Sequence, residues 1–409
     1  MKILVVSHYF WPESFKINDL CLGLRQDGHE ITVLTGLPNY PDGDFFKGYG
    51  YFKNYTDSYN GINVLRVPLI KRKKAGAIRL VLNYLSFAIS ASLIAPFRLR
   101  NQKFDIVFSF VPSPVTSIFP AIVIKWIKKI PLYIWIQDVW PDSLAASGVV
   151  KNKRILNATG HITSFIYKHS DRILVQSKAF EKCVTDWGGN KDKIYYYPNT
   201  AEDLYKSVTV SSNDKRRLLF PSGFNVLFAG NIGSLQDFET ILLAAKKTEE
   251  YPEINWLIVG NGRKKGWVEE KIIELGLVSK VKLLGGYAME EMPYFFALAD
   301  VMLATLIKDT GLAMVIPSKL QSYLACGKPI VAALDGEGAN LIKEANCGFV
   351  CNTSEPIELA QLVIKMYETP LEQRLEMGNN GKKYFDEHFN RVMLINKLST
   401  WVKEAITKN

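Results

Sequence analysis

Short runs of aliphatic and β-branched residues alternate with stretches of helical period from the first residue, pause at a polar segment near the middle of the chain, and then begin again. That alternation constrains the fold more than any other feature. Parallel strands need long crossovers and are buried on both faces, so strand-like runs separated by amphipathic segments specify a parallel sheet covered by helices. Strands are expected at 2–7, 31–34, 62–67, 105–110, 132–136, 172–176 and 193–198, and again at 224–230, 254–260, 281–285, 300–304 and 329–334. The polar stretch from Asn199 to Gly223 reads as a loop. A chain of 409 residues exceeds what one core supports. Two successive doubly wound α/β domains are therefore expected, 1–200 and 224–387, joined by a linker at 201–223. The segment 388–409 has an amphipathic period and is expected to cross back and brace the first domain.

Composition narrows the class. The five cysteines, Cys21, Cys183, Cys326, Cys347 and Cys351, are scattered and lack C-x-x-C spacing, so neither a disulfide framework nor a zinc site is indicated. The opening MKILVVSHYF breaks at His8 and at Trp11-Pro12, which suits a buried first strand better than a secretory signal. A cytoplasmic protein is expected. The net charge of +10 is unevenly spread: nine Lys/Arg and no acidic residue lie between Ser58 and Phe104. Within that span, Lys71 to Lys74 precede the apolar run 80–97, which Arg98 and Arg100 close. Asn83, several serines and Pro96 dilute the run as a membrane span. The expectation is a helix lying at a membrane surface, at the inner face of the plasma membrane, with the basic segment 66–103 meeting anionic lipid. A core helix with solvated basic flanks is the alternative.

In open parallel sheets the ligand lies beyond the carboxyl ends of the strands, so residues that follow strands are the candidates for chemistry. In the second half, Gly230, Asn231 and Gly233 follow one strand, with Gln236 nearby; they allow close backbone approach and a row of free N–H groups at a helix start. Gly260 and Gly262 repeat the device, with Arg263 and Lys264 offering positive charge. Neither turn is a Walker loop or a full G-x-G-x-x-G fingerprint, which disfavours a dinucleotide oxidoreductase. The segment 316–332, IPSKLQSYLACGKPIVA, has a helix start at Pro317-Ser318 and a stop at Gly327. It would point a helix N-terminus, Ser318 and Lys319 at a diphosphate, with Gln321 and Ser322 as further donor contacts.

Together AGNIGSLQ (229–236), VGNGRKK (259–265), MPYFFALADVMLA (292–304) and IPSKLQSYLACGKPIVAALDGEGA (316–339) resemble the donor domain of family 4 retaining glycosyltransferases of GT-B fold. SHYFWPE (7–13), TGLPNYPDG (35–43), VPSPV (111–115) and IQDVWPDSLAASGVV (136–150) resemble its L-fucosamine transferase-like subgroup, which builds bacterial O-antigen and capsule. The resemblance implies two Rossmann-like doubly wound domains facing across a cleft, transfer with retention of configuration, no metal ion, and no cofactor beyond a UDP-sugar co-substrate. It further implies a polyprenyl-diphosphate-linked saccharide as acceptor and no nucleic-acid partner. N-acetyl-L-fucosamine or a related N-acetylhexosamine is the sugar the subgroup suggests.

Three departures stand out. The paired glutamates usual in the family are replaced by Met314 and Ser322. The Arg and Lys that commonly hold the diphosphate after the first donor-domain strand are missing. The glycine pair after the very first strand is replaced by Glu13-Ser14-Phe15. Lys319, Arg263 and Lys264 are then the candidates for diphosphate charge. On the acceptor side Asp138 follows a buried strand and could take the acceptor hydroxyl's proton, or cap a turn. His8 ends the first strand and is either an acceptor contact or a hydrogen-bonded structural histidine, while Asn39, Tyr40 and Ser113 lie on loops at the same edge and are candidate acceptor contacts or turn residues. A nucleotide-sugar epimerase of the same fold and a catalytically silent partner subunit are the competing readings.

Overall fold

The computed structural model describes residues 1–73, 76–146, 150 and 152–407. Lys74 of the basic run, and residues 147–149 and 151 near the end of the IQDVWPD segment, lie outside the described residues. The chain forms two compact units, Met1–Pro198 with Val392–Asn409, and Asn199–Arg391.

The first unit is built on β1 (Lys2–Ser7), β2 (Glu30–Gly36), β3 (Thr56–Tyr59), β4 (Ile62–Val67), β5 (Ile106–Val111), β6 (Leu132–Ile136), β7 (Arg172–Val175) and β8 (Ile194–Tyr196). They form one sheet in the order β3-β4-β2-β1-β5-β6-β7-β8. Every pairing is parallel except β3 with β4. β3 went unanticipated because TDSY is short, polar and on the sheet edge, where one face of the ladder needs no apolar side chain. The helix Arg391–Thr407 belongs to this unit, and its Leu394, Ile395, Leu398 and Val402 are buried with β1, β5 and β6.

The second unit carries β9 (Phe224–Ala229), β10 (Ile254–Val259), β11 (Val281–Gly285), β12 (Val301–Thr305), β13 (Ile330–Ala333) and β14 (Gly348–Cys351). Its all-parallel order is β11-β10-β9-β12-β13-β14. This is the doubly wound order in which the chain reverses direction across the sheet between its first and fourth strands. The segment 201–223, expected as a linker, is instead packed onto this unit. Ala201 is buried, Tyr205, Leu219 and Phe220 cover the core, and Tyr205 stacks on Phe296 with ring centroids 5.9 Å apart. Its aromatic residues outweigh its polar composition.

The run 80–97 lies in the helix Ala77–Arg98. This helix packs on β2, β4 and the helix Phe119–Lys128. By length and composition it could cross a membrane. All five cysteines are free, and four of them are buried.

Candidate functional site

In the second unit the strand order reverses between β9 and β12, so the crevice beyond Ala229 and Thr305 is the place a ligand is expected. Gly230 and Gly260 turn the chain there with φ of 145° and 150°. The two turns lie directly against each other. A Cβ on Gly260 would stand 1.8 Å from the Gly230 carbonyl oxygen, and one on Gly262 would stand 2.2 Å from that of Ile232. Backbone N–H groups stitch them together: Gly230 donates to Val259 at 2.9 Å, Ile232 to Asn261 at 2.8 Å and Lys264 to Ile232 at 3.0 Å.

Part of the turn's N–H supply is spent locally: the Gly230, Ile232 and Gln236 N–H groups bond within the turns, and the helix Phe238–Lys247 is capped by Asp237 at Thr240. The Asp237 carboxylate accepts the Thr240 N–H at 3.3 Å, the Thr240 hydroxyl at 2.8 Å and the Ser354 hydroxyl at 3.1 Å.

Positive charge enters from the helix Ser318–Ala325, whose first turn no side chain caps. The Lys319 ammonium lies 3.9 Å from the centroid of the Phe228 ring and donates to Gln236 Oε1. The Gln236 carbonyl in turn accepts the Thr305 hydroxyl at the end of β12. A Cβ on Gly230 would be 3.6 Å from Lys319 Nζ, which places the amine over the turn that follows β9. Although Lys319 as a whole is only half-buried, its ammonium is enclosed by these groups, and that desolvation pushes its pKa down to about 7. No carboxylate pairs with it among the described residues. A desolvated ammonium without a counter-ion at this position is suited to an anion that arrives with the ligand.

Asn231, Gly233, Gln236, Gly260, Gly262 and Lys319 thus meet at one edge. Ser318 and Arg263 are exposed, and Lys264 lies over the Trp267 ring at 4.9 Å. Gln321 and Ser322 are turned away: Gln321 is buried and donates to the Asn199 carbonyl at 2.6 Å, while the Ser322 hydroxyl bonds back to Ser318 at 3.4 Å. Gln321, two positions past Lys319, lies on another helix face, whereas Ser322, three past it and on the neighbouring face, has its hydroxyl taken up by the Ser318 carbonyl. Tyr323 is buried against β9 and β12, its hydroxyl 3.2 Å from the Ala229 carbonyl. Phe228 and Thr305 were missed. Thr305 could have been found as a strand-terminal polar residue, but Phe228 is indistinguishable in sequence from any core residue.

The first unit gathers its own polar group at the end of β1. His8 is buried, and Asn83 reaches it from the helix Ala77–Arg98 at 3.1 Å. Asn83 Nδ2 donates to Asn39 Oδ1 and to the Ile70 carbonyl, so its Oδ1 must accept from His8 Nε2–H. His8 Nδ1 is then a bare acceptor, with no hydrogen-bond partner among the described residues. Burial pushes the His8 pKa down to about 3, so it is neutral and a weak base. Glu13 is also buried. Its Oε1 accepts the N–H groups of Asn39 and Tyr40, each at 2.8 Å, and its Oε2 that of Phe10 at 3.3 Å. Burial pushes this carboxyl up to about 7, with the three backbone donors opposing the shift. Where a nucleotide-binding turn would use glycines, this unit supplies its own anion.

Tyr40 is partly exposed, packed beside Tyr9 and Phe15. Ser113 follows β5, half-buried, and its hydroxyl makes no hydrogen bond among the described residues. Asp138 follows β6, and its Oδ2 accepts the Trp140 indole N–H at 3.1 Å. Burial raises its pKa, opposed by Ser143, Trp140 and the Val139 N–H. The Ser143 hydroxyl meets no strict hydrogen-bond geometry among the described residues, though it lies near enough to Asp138 to favour its charged form.

One D-x-D spacing occurs, Asp42-Gly43-Asp44, but Asp44 is paired with Lys71 at 3.1 Å, and no cluster of three potential metal ligands exists among the described residues. A cavity of about 340 Å³ lined by Lys125, Trp126, Lys129, Ile130, Pro131 and Asp171 opens at the amino ends of β6 and β7. That is the opposite edge of the sheet from the one that holds ligands in such folds, and Lys125 there is satisfied by Asp171 at 2.6 Å.

Comparison with known proteins gives consistent results for the two halves. Residues 16–200 match the family "Glycosyl transferase 4-like domain", and residues 211–384 match "Glycosyl transferases group 1". The chain is 24% identical over 321 residues to a probable glycosyltransferase, WbjE, of Pseudomonas aeruginosa, covering 76% of this chain and 77% of that one. It is 26% identical over 343 residues to WcaI of Escherichia coli, a putative colanic acid biosynthesis glycosyl transferase, covering 80% and 82%. Among solved structures, Anabaena HepE in complex with UDP superposes with a TM-score of 0.70 at 17% identity, covering 99% of this chain and 100% of that one. Sucrose-phosphate synthase of Thermosynechococcus elongatus gives 0.73 at 13%, covering 100% and 99%. At these identities the structural likeness establishes the fold.

Proposed function

The chain belongs to the family 4 glycosyltransferases of GT-B fold, and from that premise we propose that it transfers a sugar from UDP to a saccharide carried on polyprenyl diphosphate, with retention of configuration and without a metal ion. The sugar is N-acetyl-L-fucosamine or a related N-acetylhexosamine, and the product a unit of O-antigen, capsule or exopolysaccharide. The proposed place of work is the cytoplasmic face of the membrane, reached through the basic segment 66–103. Arg66 takes no part in that contact. It is fully buried, donating to the Trp11 carbonyl at 2.6 Å.

The observation that carries the reading is the enclosed, unpaired Lys319 ammonium over the turn that follows β9. In transfer, the bond from the anomeric carbon to the UDP oxygen breaks as the acceptor hydroxyl oxygen bonds to the same carbon. Negative charge grows on the leaving diphosphate, and a preorganised ammonium stabilises it more in the transition state than in the ground state. The acceptor's proton passes to the departing diphosphate or to Asp138. Gly230, Asn231, Gly233, Gly260 and Gly262 would let backbone approach the nucleotide. His8, Asn39, Tyr40 and Ser113 would line the acceptor side.

Thermal unfolding with UDP, GDP, ADP and NAD tests the reading, because a ligand that binds only the folded state raises its stability by mass action. Stabilisation by UDP alone is expected. If none of the four stabilises the protein, the silent-partner reading, which Met314 and Ser322 in place of the family's glutamates favour, replaces this one.

A further inference from the structure

The helix Ala77–Arg98 buries Phe87, Ala88, Ala91 and Ala95 on its inner face together with polar residues. Its polar residues face inward, where they hold the segment that leaves β4. Asn83 donates to the Ile70 carbonyl at 2.6 Å, the Ser86 hydroxyl accepts the Ile70 N–H at 2.9 Å, and the Ser90 hydroxyl donates to the Pro68 carbonyl at 2.6 Å. Its outward residues Ile78, Val81, Leu85, Ile89, Leu93 and Phe97 are all apolar and exposed, Ile78 to 80% and Phe97 to 75%. They recur every three or four positions and so form one stripe, with no charged residue between Arg79 and Arg98. A helix facing water carries charged and polar residues on that outer face. The serines and Asn83, which in sequence dilute the run as a membrane span, bond inward and leave the opposite face apolar.

Charge at the start of the same helix is equally one-sided. Lys71, Arg72, Lys73 and Arg79 cluster at a helix N-terminus that has no acidic residue in its first turn, the end where the helix dipole disfavours cations. Lys71 is paired with Asp44. Arg72 has no carboxylate partner among the described residues, yet it is held firmly. Its guanidinium donates to the Tyr9 hydroxyl at 3.0 Å and lies 5.1 Å from the centroid of the Tyr40 ring, and its backbone N–H donates to Asn39 Oδ1 at 3.3 Å. It is close enough to His8 to help depress that residue's pKa. A fixed guanidinium with unused donors, between the ends of β1 and β2 and beside an exposed apolar stripe, matches an amphiphile whose anionic head carries paired phosphate oxygens.

Resting on the lipid-linked acceptor read above, we propose that Arg72 binds the diphosphate of a polyprenyl-diphosphate-linked ligand while the outward face of the helix Ala77–Arg98 enters the hydrocarbon margin of the membrane that holds its chain.

Vesicle flotation tests this with the full chain. The vesicles are phosphatidylcholine containing either undecaprenyl diphosphate or phosphatidylglycerol at equal surface charge. The wild-type protein should prefer undecaprenyl diphosphate by roughly tenfold to a hundredfold, the size of one charge-assisted bidentate contact. Arg72→Ala should lose that preference while still binding phosphatidylglycerol, and Arg72→Lys, which keeps charge without the fork, should lose most of it. Ile89→Glu should weaken binding to both vesicles. The proposal is overturned if the wild type shows no preference, if Arg72→Ala keeps it, or if Arg72→Ala loses phosphatidylglycerol binding equally. Stabilisation by UDP, measured on the same samples, separates the two readings. With UDP binding intact and no lipid preference, only the Arg72 site fails; without UDP binding in the wild type, the transfer reading fails whatever the vesicles show.

Discussion

A single oxygen of Glu13 accepts the backbone N–H groups of both Asn39 and Tyr40, each at 2.8 Å. The carboxylate thereby ties the loop after β1 to the loop after β2. Its pKa is raised from 4.5 to about 7 by burial, so the folded state binds more protons than the unfolded state between those values. Stability from this group is therefore greatest below pH 4.5 and is lost as pH rises to 7. Glu13→Gln keeps the acceptor oxygen for Asn39 and Tyr40 and removes the titration. Across that window its stability relative to wild type should rise by about 3 kcal/mol. Denaturant unfolding at several pH values checks this, and parallel curves for the two proteins would refute it.

Lys319 titrates with the opposite charge and makes a prediction about function. Its folded pKa is about 7 against an ordinary 10.5, so the unfolded state binds more protons between those values. The ammonium's burial cost is present in full below pH 7 and is relieved as pH rises to 10.5. Lys319→Met removes that cost and should raise the melting temperature of the ligand-free protein, while UDP stabilisation is lost. In the wild type, UDP affinity should fall above pH 7, approaching about tenfold per pH unit, because binding must then take up a proton. Calorimetric titration across that range reads the slope, and a flat profile would place the diphosphate elsewhere.

The glycines of the second unit are not equivalent. Gly260 has φ of 150°, and an added Cβ would meet the Gly230 carbonyl oxygen at 1.8 Å. Gly260→Ala should cost about 2–4 kcal/mol and abolish UDP stabilisation, since both turns must move. Gly266 lies in the helix Lys265–Glu274, where an added Cβ meets nothing within 4 Å. Gly266→Ala should stabilise by about 0.5–1 kcal/mol and leave UDP binding unchanged. Thermal unfolding of the two variants with and without UDP decides the matter.

Much of the fold was legible because parallel strands buried on both faces announce themselves as apolar runs. FNVLFAG and INWLIVG could hardly be anything else, and they are β9 and β10. The edge strands β3 and β14 lack that signature. At the site, the turns at Gly230 and Gly260 and the placement of Lys319 over the first of them follow from strand-end positions. Residues on the other faces of the Lys319 helix could not be sorted by spacing alone: Gln321 looks polar and available in sequence but is spent on the Asn199 carbonyl. Arg66 illustrates the same limit. It counts as one of nine basic residues in an unbalanced stretch, yet it is enclosed beside Tyr49 and Asp57, and only packing distinguishes it from Arg72.

Asp138 offers the sharpest test of catalysis, because its environment serves two roles that a conservative change separates. Its Oδ2 is held by the Trp140 indole at 3.1 Å, and burial raises its pKa, as suits a group that takes a proton during turnover. Asp138→Asn keeps an oxygen for Trp140 and nearly the same volume, so unfolding and UDP stabilisation should match wild type. Transfer to a lipid-linked acceptor should nevertheless fall by about 10²-fold in kcat if the carboxylate accepts the acceptor's proton. The acid limb of the wild-type rate profile should then lie above the ordinary aspartate range and be absent from the variant. Wild-type turnover by Asp138→Asn would assign the residue to holding the turn at Trp140 and leave the proton to the departing diphosphate alone.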